Sequence, residues 1–485
     1  MPFLIGRLKK EKLGDGKCLE DIDRAGFTCP HQKSSRKPSS SQLSQREFLL
    51  RSMLAADENT ARSLIEKHKD KFDYLEVEAP VSLPLYAGDM GKYGGPYQPP
   101  VSPPSAITTP DFKHLQKYLN DPPEGIGLNW LLAHLPKRIG LRGEGIKIID
   151  IEGNWNNQHE DLPDNNGGII AGTPLQGDIW FNHGTAVLGV LGGDDNYGGV
   201  YGIAPKSVHL QISQGMGIVN AILRAGQELS YGDFLLLEMQ TSPPAGTPES
   251  MYQYVPLEYY DYFFDAIKSV TDRGIVVVEP GANGSAWLDD PVFNRKFDRT
   301  FRDSGAIMVG ACSIDHPHWS LQFSSHGSRL DIRAPGEYGM TCGYGGYYRG
   351  PNQPHQDYEA AFGGTSLASP IETGCGELVQ ACRKAQGLPL FNSIQMRDLF
   401  VTTGSPQEDP WNPVGKFPNL IKALQYGAPI PDMNLSGKCD FDDYFLFAEL
   451  FNTNDPRGDF NGNGLVDMED FNIFAAQFNA DNPSA

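Results

Sequence analysis

From Gly145 onward, short apolar runs alternate with stretches whose apolar residues recur every three or four positions. The first run, GIKIIDIEG, carries Ile146, Ile148, Ile149 and Ile151 and reads as a buried strand expected to end at Asp150. Further strands are expected over residues 208–212, 234–239, 275–278 and 306–309, with helices over 219–229 and 260–270 between them. Alternation of this kind predicts an α/β fold, a mostly parallel sheet with helices on both faces. Such sheets place their sites at the carboxyl ends of strands, where Asp150 and the loop containing Asn283 fall.

The flanks have different patterns. Residues 1–82 form a charged N-terminal segment, with a helix expected over 45–71 and a strand over 72–81. Residues 83–110 are rich in Pro, Gly, Tyr and Ser and read as a semi-extended linker. The α/β unit spans 111–428, and a separate segment follows at 432–485.

Charge sharpens the division. Residues 432–485 hold 2 Lys/Arg against 11 Asp/Glu, so they supply −9 of the total formal charge of −20. This excludes nucleic acid as an expected partner and favours cation binding at the C-terminus. No run is long enough for a membrane span, and the opening MPFLIGRLKK lacks the apolar core of a secretory signal. Cys18, Cys29, Cys312, Cys342, Cys375, Cys382 and Cys439 contain no C-x-x-C pair. A disulfide among the central four and buried free thiols are both compatible with the spacing.

Candidate chemistry concentrates in FGGTSLASPIETG, where Ser366 precedes an apolar helix pattern and would sit at a helix N-terminus. Free backbone N–H groups there can hold an oxyanion, and Pro370 is expected within the first turn. By itself this serine fits an ordinary helix cap. A nucleophile needs a base and a group that orients the base. His183, opening HGTAVLGVLGG, is the candidate base, with His316, His318 and His326 as rivals. Asp150 is the candidate orienting carboxylate, while Glu152, expected just past the strand, and Asp161, in the following loop, are alternatives. Asn283 in VVVEPGANGS is a candidate oxyanion donor.

In order along the chain, IIDIEG, HGTAVLG, GIVVVEPGAN and GGTSLASP resemble the motifs of the subtilisin-like serine peptidases. The resemblance covers roughly residues 140–425 and implies the subtilisin-like fold. It implies a serine endopeptidase in which Asp150 orients, His183 transfers protons and Ser366 attacks to form an acyl-enzyme. Asn283 and the Ser366 backbone N–H would hold the oxyanion. It also implies that an extended protein or peptide substrate lies beside LLLEMQ, with Glu238, Gly284 and Ser285 near the P1 pocket. Residues before about 110 would be a pro-region. Ala282 stands where glycine is usual, so Asn283 needs Ala282 in a backbone conformation that glycine adopts more freely.

At the C-terminus, a repeat of 27 residues aligns Asp432, Asn434, Ser436, Gly437, Asp440 and Asp443 with Asp459, Asn461, Asn463, Gly464, Asp467 and Asp470. Oxygen side chains at loop positions 1, 3, 5, 9 and 12, glycine at 6 and the position 7 carbonyls of Lys438 and Leu465 match calcium-loop chemistry. Each loop leads into a helix pattern, so a small all-α paired loop-helix module binding Ca²⁺ is expected. It resembles dockerin modules, which implies a protein partner, although Phe441, Asp442, Met468 and Glu469 replace the family's usual small hydroxyl residues. Calcium loops suit an extracellular setting.

Two other functions compete with an active endopeptidase. A catalytically impaired relative would bind peptides as a scaffold. An acid peptidase of sedolisin type would use a glutamate as base, against which HGTAVLG argues.

Overall fold

The computed structural model describes residues 3–9, 27, 50–54, 58–84, 109–162, 166–196, 198–408 and 412–482. At the N-terminus, β1 (Phe3–Leu8) pairs antiparallel with both β2 (Leu50–Leu54) and β3 (Phe72–Val77), and α1 (Glu58–His68) packs on them. The helix expected over 45–71 is therefore shorter, because Leu50–Leu54 pairs as a strand. Residues 45–49 and most of the expected linker lie outside the described residues.

After β4 (Val81–Ser82) and α2 (Leu128–His134), the chain enters a seven-stranded parallel sheet. Its elements are β5 (Lys147–Glu152), β6 (Asn166–Ala171), α3 (Asp178–Gly192), β7 (Val208–Ser213), α4 (Ile218–Glu228) and β8 (Phe234–Leu237), then β9 (Gln240–Thr241), which lies outside that sheet. They continue with α5 (Asp261–Thr271), β10 (Val276–Pro280), β11 (Ile307–Cys312), β12 (Ile332–Pro335) and α6 (Thr365–Gln386). Strand order is β12-β11-β10-β8-β5-β7-β6, so β5 is an interior strand, flanked by β8 and β7, and its residues are buried from Ile148 through Glu152. Each strand and helix expected in the α/β unit is present, with its ends shifted by at most three residues.

Two apolar cores cover the sheet. One, containing Ala186, Val190, Leu367, Ile371 and Leu378, seats α3 and α6 on one face. The other, containing Val219, Ile222, Phe263 and Ile267, seats α4 and α5 on the opposite face. The helices that carry His183 and Ser366 thus share one face of the sheet, and each turns its apolar side to it.

Helices α7 (Ser393–Thr403) and α8 (Leu420–Gly427) complete this unit, and α9 (Phe441–Leu450) and α10 (Met468–Asp481) form the C-terminal module. Phe447, Phe460 and Phe474 stack in its small core. Leu435, in the first loop of the module, is buried with Leu424 and Ala428 in the large catalytic-side core. Cys312, Cys342, Cys375, Cys382 and Cys439 are buried free thiols, so no disulfide joins the central four. Cys18 and Cys29 lie outside the described residues. Among the described residues no helix is long and apolar enough to cross a membrane.

Candidate active site

Successive side chains of a strand point to opposite faces, so Asp150 and Glu152 share one face of β5. Strand β5 runs through Glu152, two residues beyond its expected end. The register of α3 sets the buried His183 against this last carboxylate, and His183 Nδ1 shares a 2.8 Å hydrogen bond with Glu152 Oε2. Asp150 is occupied elsewhere, accepting a 2.7 Å bond from Trp155 Nε1. The carboxylate that meets the His183 ring in this structure is therefore Glu152, and Asp150, the expected partner, faces the Trp155 indole instead. Gly184 makes this possible, since a Cβ there would lie 2.5 Å from Trp155 Cδ1. The remaining alternative, Asp161, accepts from the Val200 N–H and from Asn196 Nδ2, away from His183.

Burial sets the electrostatics. Desolvation lowers the His183 imidazole to about 3, which favours a neutral ring, and holds Glu152 well above the usual carboxylate range. Asp150 is also raised well above that range, first by burial and then by the charge of Glu152, while the Trp155 indole opposes the shift. The rival histidines are engaged otherwise: His318 bonds to the carbonyls of Ser313 and Pro123 and stacks on Phe417, and His316 faces Glu408 at 3.9 Å. For His326, the Ser324 backbone is the hydrogen-bond partner.

Ser366 is the second residue of α6, following Gly364 at φ +88°. Pro370 lies one turn further in than expected, where the N–H it lacks would have bonded the Ser366 carbonyl. Ser369 Oγ donates to the Thr365 carbonyl in the same turn. Both Ser366 Oγ and His183 Nε2 are enclosed without a hydrogen-bond partner, each ready to accept or release a proton.

Asn283 follows β10, and its Oδ1 accepts from both the backbone N–H and the hydroxyl of Thr365 at 3.0 Å. That clamp fixes the amide beside the start of α6 and leaves Nδ2 free to donate to the Pro84 carbonyl. Ala282 supplies the turn at φ +71°, the left-handed conformation anticipated from its place in the motif. For a residue with a Cβ this costs about 1–2 kcal/mol.

A segment of the chain's own N-terminal part occupies the cleft. Strand β4 pairs antiparallel with β9, with Val81 opposite Thr241 and Ser82 opposite Gln240. Gln240 Nε2 donates to the Leu83 carbonyl at 2.9 Å, and Gln240 Oε1 accepts from the Asn283 N–H at 2.8 Å. The Pro84 carbonyl then accepts from Asn283 Nδ2 and, at 3.4 Å, from the Ser366 N–H. Behind it the N-terminal sheet grips the catalytic unit. Glu78 accepts from the Ile218 and Val219 N–H groups at the start of α4, and Arg7 pairs with Asp265 of α5 at 2.9 Å. Sequence reasoning placed Gln240 only within LLLEMQ and expected a pro-region without its contacts, because these depend on a fold-back over more than 150 residues.

The three residues expected at the P1 pocket separate. Gly284 packs against Tyr254, where a Cβ would lie 1.9 Å from the carbonyl oxygen. Ser285 is exposed and donates to the Gln322 carbonyl. Glu238 is fully buried, and one atom from each of Glu152, His183 and Glu238 lies within 4.8 Å of the others. Those three donors have the spacing of a cation site, yet two of them are already bonded to each other across Nδ1.

The oxygen-rich C-terminal loops are the better fit to a metal. Asp432 accepts from the N–H groups of Ser436 and Gly437, and Asp459 from those of Gly462, Asn463 and Gly464. Asp443 and Asp470, both fully buried, accept from the N–H groups of Asn434 and Asn461 and of Asp440 and Asp467. Gly437 and Gly464 make the sharp turns at φ +92° and +90°. The donor set thus suits a hard cation such as Ca²⁺, with Ser436 Oγ bonded to the Lys438 carbonyl and Leu465 leaving its side chain exposed.

No family model matches the chain. Among curated proteins it is 26% identical over 284 residues to alkaline elastase YaB of Bacillus sp. (strain YaB), covering 58% of this chain and 64% of that protein. It is 25% identical over 285 residues to subtilisin BL of Lederbergia lenta, covering 58% of this chain and 90% of that one. The crystal structure of fervidolysin from Fervidobacterium pennivorans, a keratinolytic enzyme related to subtilisin, superposes with a TM-score of 0.54 at 17% identity, covering 88% of this chain and 61% of that one. The chain therefore has the subtilisin-like α/β fold and is similar in sequence to the subtilisins.

Proposed function

We propose that this protein is a serine endopeptidase whose triad is Glu152, His183 and Ser366. In acylation, His183 Nε2 takes the Ser366 proton as Oγ bonds to the scissile carbonyl carbon. Glu152 holds the ring through Nδ1 and stabilises the positive charge that develops. Asn283 Nδ2 and the Ser366 N–H receive the oxyanion. The C–N bond breaks with a proton passing to the amine, and water then releases the acyl group.

One observation carries the reading. The Pro84 carbonyl, held by Asn283 Nδ2 and the Ser366 N–H, lies as a substrate carbonyl would, on a strand added to β9. We read residues 1–82 together with Leu83 and Pro84 as a pro-region that inhibits by filling the cleft, with Pro84–Leu85 as the bond it presents. The fit of the C-terminal loops supports two Ca²⁺ sites there. Asp432, Asn434, Ser436, the Lys438 carbonyl, Asp440 and Asp443 would hold one ion, and Asp459, Asn461, Asn463, the Leu465 carbonyl, Asp467 and Asp470 the other. Such loops suit an extracellular enzyme, and the exposed aromatic side chains of Phe441, Tyr444 and Phe445 leave the module a surface for a protein partner.

A fluorophosphonate probe tests the catalytic reading. Labelling of the matured protein that vanishes in Ser366→Ala supports it, and a folded, matured sample that takes no label favours the scaffold alternative.

A further inference from the structure

Glu238 follows β8 directly, its N–H bonded to the Ile151 carbonyl, and its side chain is wholly enclosed. Neither carboxylate oxygen has a hydrogen bond of ordinary geometry. A buried carboxyl group without structural partners costs stability and is a mark of a functional position. Its neighbourhood is the reacting centre: the Ser366 hydroxyl is near enough to stabilise its ionised form, and His183 and Glu152 lie within 4.8 Å. Because the Pro84 carbonyl rests on the Ser366 N–H, a substrate carbonyl held in the same way would bring its carbon, and the leaving nitrogen bonded to it, to the Ser366 residue that attacks.

We propose that Glu238 is the general acid of this centre, giving its carboxyl proton to the leaving amine while His183 keeps the proton taken from Ser366. This deepens, and rests on, the peptidase reading. The titratable groups around Glu238 are Asp150 and Glu152 on β5 and His183 on α3, with Tyr344 beyond Glu152. Burial first, then the charges of Glu152 and Asp150, keep Glu238 protonated well above the usual carboxylate range, while burial keeps His183 neutral. Paired groups driven apart in this way divide the roles of acid and base.

The proton count closes. In acylation Oγ bonds to the carbonyl carbon, its proton goes to His183 Nε2, the C–N bond breaks and the amine nitrogen takes the Glu238 proton. The centre then holds an imidazolium beside a carboxylate, two opposite charges within 4.8 Å. In deacylation water gives a proton to Glu238 as its oxygen bonds to the acyl carbon. The C–Oγ bond breaks, and Oγ recovers its proton from His183.

The test is the pH profile of kcat and KM for matured wild type, Glu238→Gln and Glu238→Asp on a peptide amide substrate, with fluorophosphonate labelling as control. Because the acid must be protonated, wild-type kcat should fall on the alkaline side. Glu238→Gln should lose at least tenfold in kcat at the wild-type optimum and lose that alkaline fall, with KM within about twofold, while Glu238→Asp restores part of both. A Glu238→Gln profile scaled down equally at every pH, changed only in KM, or unchanged overturns the proposal and leaves the peptidase reading standing. Failure of wild type to take the label overturns the peptidase reading and this proposal with it.

Discussion

The cleft and the C-terminal module both bury acidic side chains, and they accommodate them in opposite ways. In the module, Asp432, Asp443, Asp459 and Asp470 are ringed by backbone N–H groups of their own loops. The bonds are local and repeat with the sequence. In the cleft, Glu152, Asp150 and Glu238 converge from β5 and β8 with few N–H donors, so their burial is accommodated by proton sharing with an imidazole, an indole bond and raised proton affinity. Backbone amides make a carboxylate a fixed negative charge that suits a cation. A desolvated cluster makes it a proton carrier.

Breaking the cleft should have the largest effects. Ser366→Ala should abolish probe labelling and leave the Pro84–Leu85 bond intact, which N-terminal sequencing of the purified chain reads directly. Glu152→Gln should lower kcat by about 10⁴-fold, the loss expected when an orienting carboxylate is neutralised. Asp150→Asn should cost far less in kcat, since its bond goes to the Trp155 indole. Equal losses in the two variants, measured on matured enzyme, would erase the distinction between them. Asn283→Ala should cost about 10²- to 10³-fold in kcat with little change in KM.

The module should respond in stability. Calcium at 100 times its Kd should add about 2.7 kcal/mol for each site. Because Leu435 is buried in the catalytic-side core, the rise in Tm should be seen in the whole chain's melt. Asp459→Ala, which also removes three N–H contacts of the second loop, should remove that site's share. A calcium-independent melt would place the module with ordinary acidic loops. The smallest effect belongs to Ala282→Gly, which should relieve about 1 kcal/mol of left-handed strain, partly offset by the entropy of glycine, and leave kcat close to wild type.

Much of this was legible in the sequence because it is local. Apolar spacing announced the strands and the two helices that carry His183 and Ser366, and the 27-residue repeat announced paired loops that form matching hydrogen bonds. Choosing between Asp150 and Glu152 was beyond it. A strand with period two puts both on one face, and the choice depends on how far β5 extends and how α3 lies over it. Glu238 was visible as a residue near the cleft, but whether it meets a substrate side chain or the nucleophile depends on packing between β8 and α6.

By itself, the sequence determined the element order, the place of Ser366 at a helix start and the loops' oxygen donors, since each depends on residues a few positions apart. The tertiary structure alone decided which carboxylate holds His183, that Glu238 is enclosed beside Ser366, and that Pro84 returns to lay its carbonyl between Asn283 and the Ser366 N–H. Those contacts join strands and helices far apart in the chain, and only the packing of helices on the sheet brings them to hydrogen-bond distance.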